Sequence, residues 1–468
     1  MKDDATTPAG LPVTEILAQW ISGPALADLP ASLTDHLKLA ILDTVGCGLF
    51  GATQPWSVHA AAAAHEMASG SCLIFGNALT AGPAAAAMAN GTAIHGFELD
   101  DVHLTGQIHP GSVVLPAVLA LAQLRKLPAS KVLEAVAAGY ETGIRLGAAA
   151  GRGHGLSGYH PTGTIGCVAA AAAAARLLGL DAERTASAIA LGATQASGLY
   201  STRTGGMAKR FHAGHAASAG VIAGLLAERG FTGAAGVIEA SFGGFLSTLH
   251  CDGDPASIVQ DIGREWRSAA VGFKIFATCA SAQTIVQGVR QLKERGLAGD
   301  NLQRLQIKMG RIAISNVGWP YRPADVVAAQ MNGSYAAAVT LLDGDAFVEQ
   351  FSEDRLTDPA VLELASRMSF EFDPDIESGG MNLRHASRLI AHTTDGAVLE
   401  AYNAQRPGGP GNEIPPARIV DKFEQLARPV VGAVRTQKII DCVMGLEALP
   451  DLNEFYACLA TGENARGN

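Results

Sequence analysis

Two of the thirteen histidines stand directly before a proline. His109-Pro110 closes the segment GFELDDVHLTGQIHPG (96–111), and His160-Pro161 lies in GLSGYHPTGTIG (155–166). Proline favours the first position of a helix, so each imidazole is expected at a helix N-terminus. There the positive end of the helix dipole keeps the ring neutral, able to take or give a hydrogen bond near pH 7. The first segment also places Glu98, Asp100, Asp101 and His103 close to His109 in sequence. Acids and imidazoles at this density suit proton transfer; the plain alternative is a solvated acidic loop with a capping histidine.

The cations follow in two further segments. TGGMAKRFHAGHAAS (204–218) sets Lys209, Arg210, His212 and His215 among Ala and Gly. VGFKIFATCASAQTIVQG (271–288) carries Lys274 between apolar residues. A lysine point charge and an arginine fork both clamp carboxylates. A lysine in apolar surroundings can also serve as a base. A basic surface loop and a snorkelling lysine are the competing readings. Asp100, Asp101, His103 and His109 are of types that ligate metals, but no pair of histidines four apart on a helix supports a site. No metal is expected. The chain lacks a phosphate-binding G-x-x-x-x-G-K-[ST] and a G-x-S-x-G elbow.

These residues need a scaffold, and most of it reads as helix. Apolar residues recur at helical spacing over 37–49 (after Thr34 and Asp35, which suit an N-cap), 84–97, 112–124, 130–146, 163–178, 181–199 and 212–229. Several of these stretches are Ala-rich on all sides and are expected to be buried. Near residue 300 the texture changes. Leu302 to Ser315 alternates apolar and polar residues as a strand does, and 367–372 and 387–392 are strand-like. Residues 398–403 follow a Thr-Asp-Gly turn, so the last two form an expected hairpin. A helix over 333–342 lies between. RPGGPGNEIPP (406–416) reads as a linker or mobile loop, and helices resume over 417–427 and 438–446.

Composition narrows the class. The chain has 468 residues, 48% hydrophobic and 17% charged, with a net charge of −10. It can bury a large core in two or three domains. No Lys/Arg cluster marks a nucleic-acid surface. No run of eighteen or more apolar residues marks a membrane span. MKDDATTPAG at the N-terminus lacks the apolar core of a secretory signal. Seven dispersed cysteines without a C-x-x-C pair fit reduced thiols and a cytoplasmic protein.

Taken in order, LAILDTVGCGLFG (39–51), NGTAIHGFELDD, HPGSVVLPAVLALA (109–122), YHPTGTIG, MAKRFHAGHAA, GGFLSTL, FKIFATC and SYAAAVTLLDG (334–344) resemble the MmgE/PrpD family. The family includes 2-methylcitrate dehydratases, cis-aconitate decarboxylases and iminodisuccinate epimerase. The resemblance implies a mainly α protein: a large all-helical domain from 1–272 plus 411–468, and a smaller α+β lid over 273–410. It further implies a homodimer and a cofactor-free cleft between the domains. By motif, the active-site positions fall on Asp100, Asp101, His109, His160, Lys209, Lys274 and Tyr335, with Glu98, His103, Arg210 and His212 as substrate-binding candidates. Glu98 stands where the dehydratases and decarboxylases tend to have Asp. Val102 replaces a Thr, and one extra residue precedes His109.

The implied chemistry removes a proton α to a carboxylate of a small di- or tricarboxylic acid, with nearby cations stabilising the aci-carboxylate. A dehydratase-type lyase is placed first, an epimerase second and a decarboxylase third. A non-catalytic helical scaffold and a metal hydrolase are the readings from other classes.

Overall fold

The computed structural model describes residues 12–461; the opening MKDDATTPAG lies outside them. Among the described residues, the first part of the chain is carried by the helices α1 (Val13–Ser22), α2 (Ala31–Ala52), α3 (Pro55–Met67), α4 (Pro83–Ile94), α5 (Pro110–Arg125), α6 (Ser130–Leu156), α7 (Pro161–Leu177), α8 (Ala182–Ala193) and α9 (Ala208–Glu228). Helix α7 is the centre, packed by α5, α6, α8 and α9. Every residue from Thr162 to Ala175 is buried, as the all-round apolar pattern requires. Small residues set how closely these helices approach. A methyl placed on Gly220 of α9 would lie 2.3 Å from Ala170 Cβ of α7, and one on Gly214 would lie 2.2 Å from the Met88 carbonyl of α4. Helix α2 begins six residues before the expected Leu37. Pro30 is extended and the helix starts at Ala31, so Thr34 and Asp35 lie within the first turns rather than at the cap.

The elements of the second part that bear on the site are α10 (Gln283–Glu294), β1 (Leu302–Met309), α11 (Arg311–Val317), α12 (Gly333–Asp343), β2 (Met368–Phe372), β3 (Ser387–Thr393), β4 (Val398–Asn403), α13 (Pro416–Val431) and α14 (Ala433–Met444). The four strands form one sheet in the order β2-β1-β3-β4. β1 runs parallel to β2 and antiparallel to β3, with Ile307 opposite Phe370 on one side and Leu389 on the other. β3 and β4 pair antiparallel as a hairpin, and α10 packs on both and on α12. The strand expected to reach Ser315 stops at Met309. Gly310 is an extended N-cap, and the Arg311 N–H donates to Glu377 Oε2 at 2.9 Å as α11 begins. In five residues, GRIAI satisfies both periods, and the break at Gly310 decides between them.

The Pro/Gly-rich stretch is an ordered strap. Arg406 to Gly409 is buried, the Phe273 N–H donates to the Gly408 carbonyl at 2.7 Å, and Arg406 Nη2 donates to the Val102 carbonyl at 3.0 Å. Gly408 has φ +75°, and a Cβ there would meet the Phe273 carbonyl oxygen at 2.0 Å. The glycines therefore allow close backbone approach, where composition alone suggested mobility.

After the strap, α13 lies along α2. Its Lys422 is buried and donates at 2.6 Å to both Asp43 Oδ1 and the Leu99 carbonyl. The chain's last third thereby grips the acidic loop from behind. Lys422→Met leaves Asp43 buried without its partner and is expected to cost about 3–5 kcal/mol of stability, read from urea unfolding. A loss below about 1 kcal/mol would show that the pair is dispensable.

Candidate active site

A cavity of about 380 Å³ opens between the helical part and the sheet-bearing part of the fold. That volume suits a small ligand. From the helical side, Glu98, His103, His109, His160 and Lys209 line it; Lys274 enters from the segment before α10. Ser281, Asn316, Met331, Arg384 and His385 close the opposite side.

His109 and His160 are the N-cap residues of α5 and α7, each followed by its proline. Lys209 sits in the first turn of α9, buried, rather than in a basic surface loop. The acidic loop is bounded by two non-glycine residues in the left-handed region, Glu98 at φ 57° and Gln107 at φ 51°. A buried glutamate held there stores strain of about 1–3 kcal/mol, the kind that recurs where a side chain must be aimed.

The polar groups form one connected chain. Glu98 pairs with Lys209 through one oxygen and with Lys274 through the other, the latter at 3.2 Å. Lys209 Nζ lies 3.2 Å from His95 Nε2. His95 Nδ1 donates to Asp100 Oδ2 at 2.7 Å, because the carboxylate can only accept. His109 Nδ1 lies 3.3 Å from the same oxygen, and Lys274 Nζ lies 3.9 Å from Asp100 Oδ1. On the far wall, His160 Nδ1 and His212 Nδ1 are 3.1 Å apart, so one donates and the other accepts.

Burial dominates the titration of these groups. It lowers His95 to about 4, against the pull of Asp100. It lowers His109 below the ordinary 6.5, again with Asp100 opposing. Burial, and then Lys209, hold His160 well below its usual value. His103 and His212 are lowered to about 4 by burial. Burial also pushes Asp100 and Glu98 upward, but their cationic and imidazole neighbours outweigh it, and both stay well below the usual carboxylate range. The site thus holds neutral rings beside ionised acids and two lysines. His95, Asp100 and His109 have ligand atoms within 4.8 Å of one another. A divalent ion there would face Lys209 and Lys274 at close range, a poor arrangement for a cation.

Four residues expected in the site, Asp101, Arg210, His212 and Tyr335, do not line the cavity. Asp101 accepts from Tyr140 Oη at 2.7 Å and from the Gly111 N–H at 2.9 Å, behind the cavity, where burial pushes its carboxyl up to about 8. Arg210 points away, donating to the Gly96 carbonyl at 3.0 Å and stacking on Trp56. His212 touches the cavity only through His160. Tyr335 is buried with its hydroxyl donated to the Gln350 carbonyl at 2.6 Å, packed on Tyr321 and Phe351. Tyr335→Phe is therefore expected to keep kcat/KM within a factor of about three, since no reacting atom is in reach. A hundredfold loss would return Tyr335 to the site.

His95, the buried ring joining Asp100 to Lys209, is a member of the site that was not expected from sequence. Its signal was a histidine amid apolar residues at the end of α4, five positions before Asp100. Arg384 and His385 line the cavity too and carry no motif.

Two family profiles match the chain: the MmgE/PrpD N-terminal domain over residues 15–256 and the MmgE/PrpD C-terminal domain over 276–447. The chain is 32% identical to a cis-aconitate decarboxylase of Aspergillus terreus, with 98% of each chain covered. It is 28% identical to the cis-aconitate decarboxylase of Homo sapiens, covering 96% of this chain and 94% of that one. It is 26% identical to the Mus musculus protein of the same name, over 78% and 76%.

Proposed function

The chain belongs to the MmgE/PrpD family, and from that premise we propose that it decarboxylates a small tricarboxylate of the cis-aconitate kind without a metal or cofactor. The observation that carries this is the wall of the cavity: Lys209, Lys274, Arg152 and Arg384 face it, against Glu98 on the lining and Asp100 and Glu377 behind it, with neutral imidazoles beside them. A cavity so charged favours a polyanion. The dehydratase placed first on sequence now follows decarboxylation, because the similar full-length proteins are named decarboxylases.

The chemistry needs few parts. In a β,γ-unsaturated tricarboxylate, loss of CO₂ breaks one C–C bond. Its electron pair forms a new double bond, and the old double bond shifts charge to the carbon α to another carboxylate. That carbon takes one proton. The products are CO₂ and a five-carbon unsaturated dicarboxylate. Lys209 and Lys274 stabilise the charge that spreads onto the retained carboxylate. His109 delivers the proton from the ring nitrogen away from Asp100. Asp100, at 3.3 Å from Nδ1, steadies the charged ring that precedes transfer. Glu98 holds both lysines, one through each carboxylate oxygen.

Seven free cysteines support a reducing, cytoplasmic setting. Among the described residues no helix is long and apolar enough to cross a membrane. A homodimer is supported by the family resemblance and by exposed Leu199, Met207 and Phe211. The reaction is tested by CO₂ release from a panel of di- and tricarboxylates with EDTA present. Release from cis-aconitate is the expected result; hydration or epimerisation of another acid without CO₂ would replace decarboxylation.

A further inference from the structure

Within the same cavity, and resting on its reading as a polyanion site, we propose a separate carboxylate subsite on the sheet-bearing side, built on Arg384. Charge balance separates it from the lysine pair. Lys209 and Lys274 already face Glu98 and Asp100. Arg152 lies 3.9 Å from Glu377. Arg384 lines the cavity and forms no ion pair among the described residues. Its Nη1 donates to Gln107 Oε1 at 2.9 Å, a neutral amide, and its Nε is out of solvent with no hydrogen-bond partner. An unbalanced guanidinium with an idle buried donor beside a cavity is built for an anion, and its fork fits a carboxylate.

The neighbours hold that geometry. Gln107 is fixed from its other end, Nε2 donating to the Gly151 carbonyl at 2.6 Å. His385 also lines the cavity, with Nδ1 3.0 Å from Ser281 Oγ and its carbonyl accepting from Thr284 Oγ1 at 2.6 Å. His385 sits among cations: burial, then Arg384, Arg406 and Lys274, hold it well below its ordinary value, so it adds a neutral donor or acceptor rather than a competing charge. The lysine side stabilises the reacting end of the substrate. The Arg384 subsite then counts carboxylates, favouring a tricarboxylate over a dicarboxylate of the same length.

The test uses two saturated probes that cannot be decarboxylated by the proposed route, propane-1,2,3-tricarboxylate and glutarate, titrated calorimetrically into the full-length protein. Wild type is expected to bind the tricarboxylate at least about tenfold more tightly. Arg384→Gln should lose about 10–100-fold for the tricarboxylate and little for glutarate. Arg384→Lys, which keeps the charge without the fork, should fall between, and it serves if Arg384→Gln unfolds. Equal losses for both probes, no loss for either, or no preference in wild type would overturn the subsite. A collapsed preference together with no CO₂ from cis-aconitate would keep the subsite and remove the decarboxylase reading. CO₂ release together with an unchanged preference in Arg384→Gln would do the reverse.

Discussion

Lys274→Ala is expected to lower kcat/KM by about 10²–10⁴ with little change in secondary structure. Lys274 is fully buried, 3.2 Å from Glu98 and 3.9 Å from Asp100, and it lines the cavity. Removing it strips the transition state of a nearby cation in a site shielded from water, where such a charge acts most strongly. It also leaves Glu98 with Lys209 alone, so part of the loss is the uncompensated acid. Lys274→Met removes the same charge but keeps the volume, so a matching loss assigns the effect to the charge and not to the space that Ala leaves. If both variants turn over at the wild-type rate, the lysine pair is not part of the chemistry.

His109→Asn is expected to cost a similar 10²–10⁴ in kcat, the range for a lost proton-transfer group. The direction of the pH profile is more telling than the size. Burial lowers His109 below 6.5, so the charged donor is a minority near pH 7. Decarboxylation through this ring should therefore speed up as pH falls from about 8 toward 6, with the alkaline limb lying below 6.5 in the free enzyme. Asp100 raises the ring, so Asp100→Asn should move that limb to still lower pH. If His109 instead acts as a base, kcat/KM falls on acidification. A profile of that shape would reassign the ring from donor to base.

What could be read in advance follows from how locally each feature is encoded. The two His-Pro steps placed both imidazoles at helix starts, because proline acts on its own backbone and needs no tertiary partner. Buried α7 was legible from alanine on every face. Lys274 stood out because a cation flanked by apolar residues needs a reason. Tyr335, by contrast, came from motif matching alone, and its ring packs on Tyr321 and Phe351 away from the cavity. Asp101 was grouped with Asp100 by adjacency, but neighbouring residues aim apart, and Asp101 turns to Tyr140 while Asp100 turns to His95. Arg384 was invisible because its role depends on meeting Gln107, 277 positions away. The strap at 406–409 misled for the same reason, since the partner of Gly408 is Phe273.

The most direct measurement is proton NMR of cis-aconitate incubated with the protein in D₂O. Decarboxylation at this site predicts loss of the substrate signals and two new terminal-methylene protons. It also predicts one deuterium on the saturated carbon next to a carboxylate, all abolished in His109→Asn and Lys274→Ala. Unchanged cis-aconitate, or its hydration without loss of CO₂, would contradict the proposed reaction.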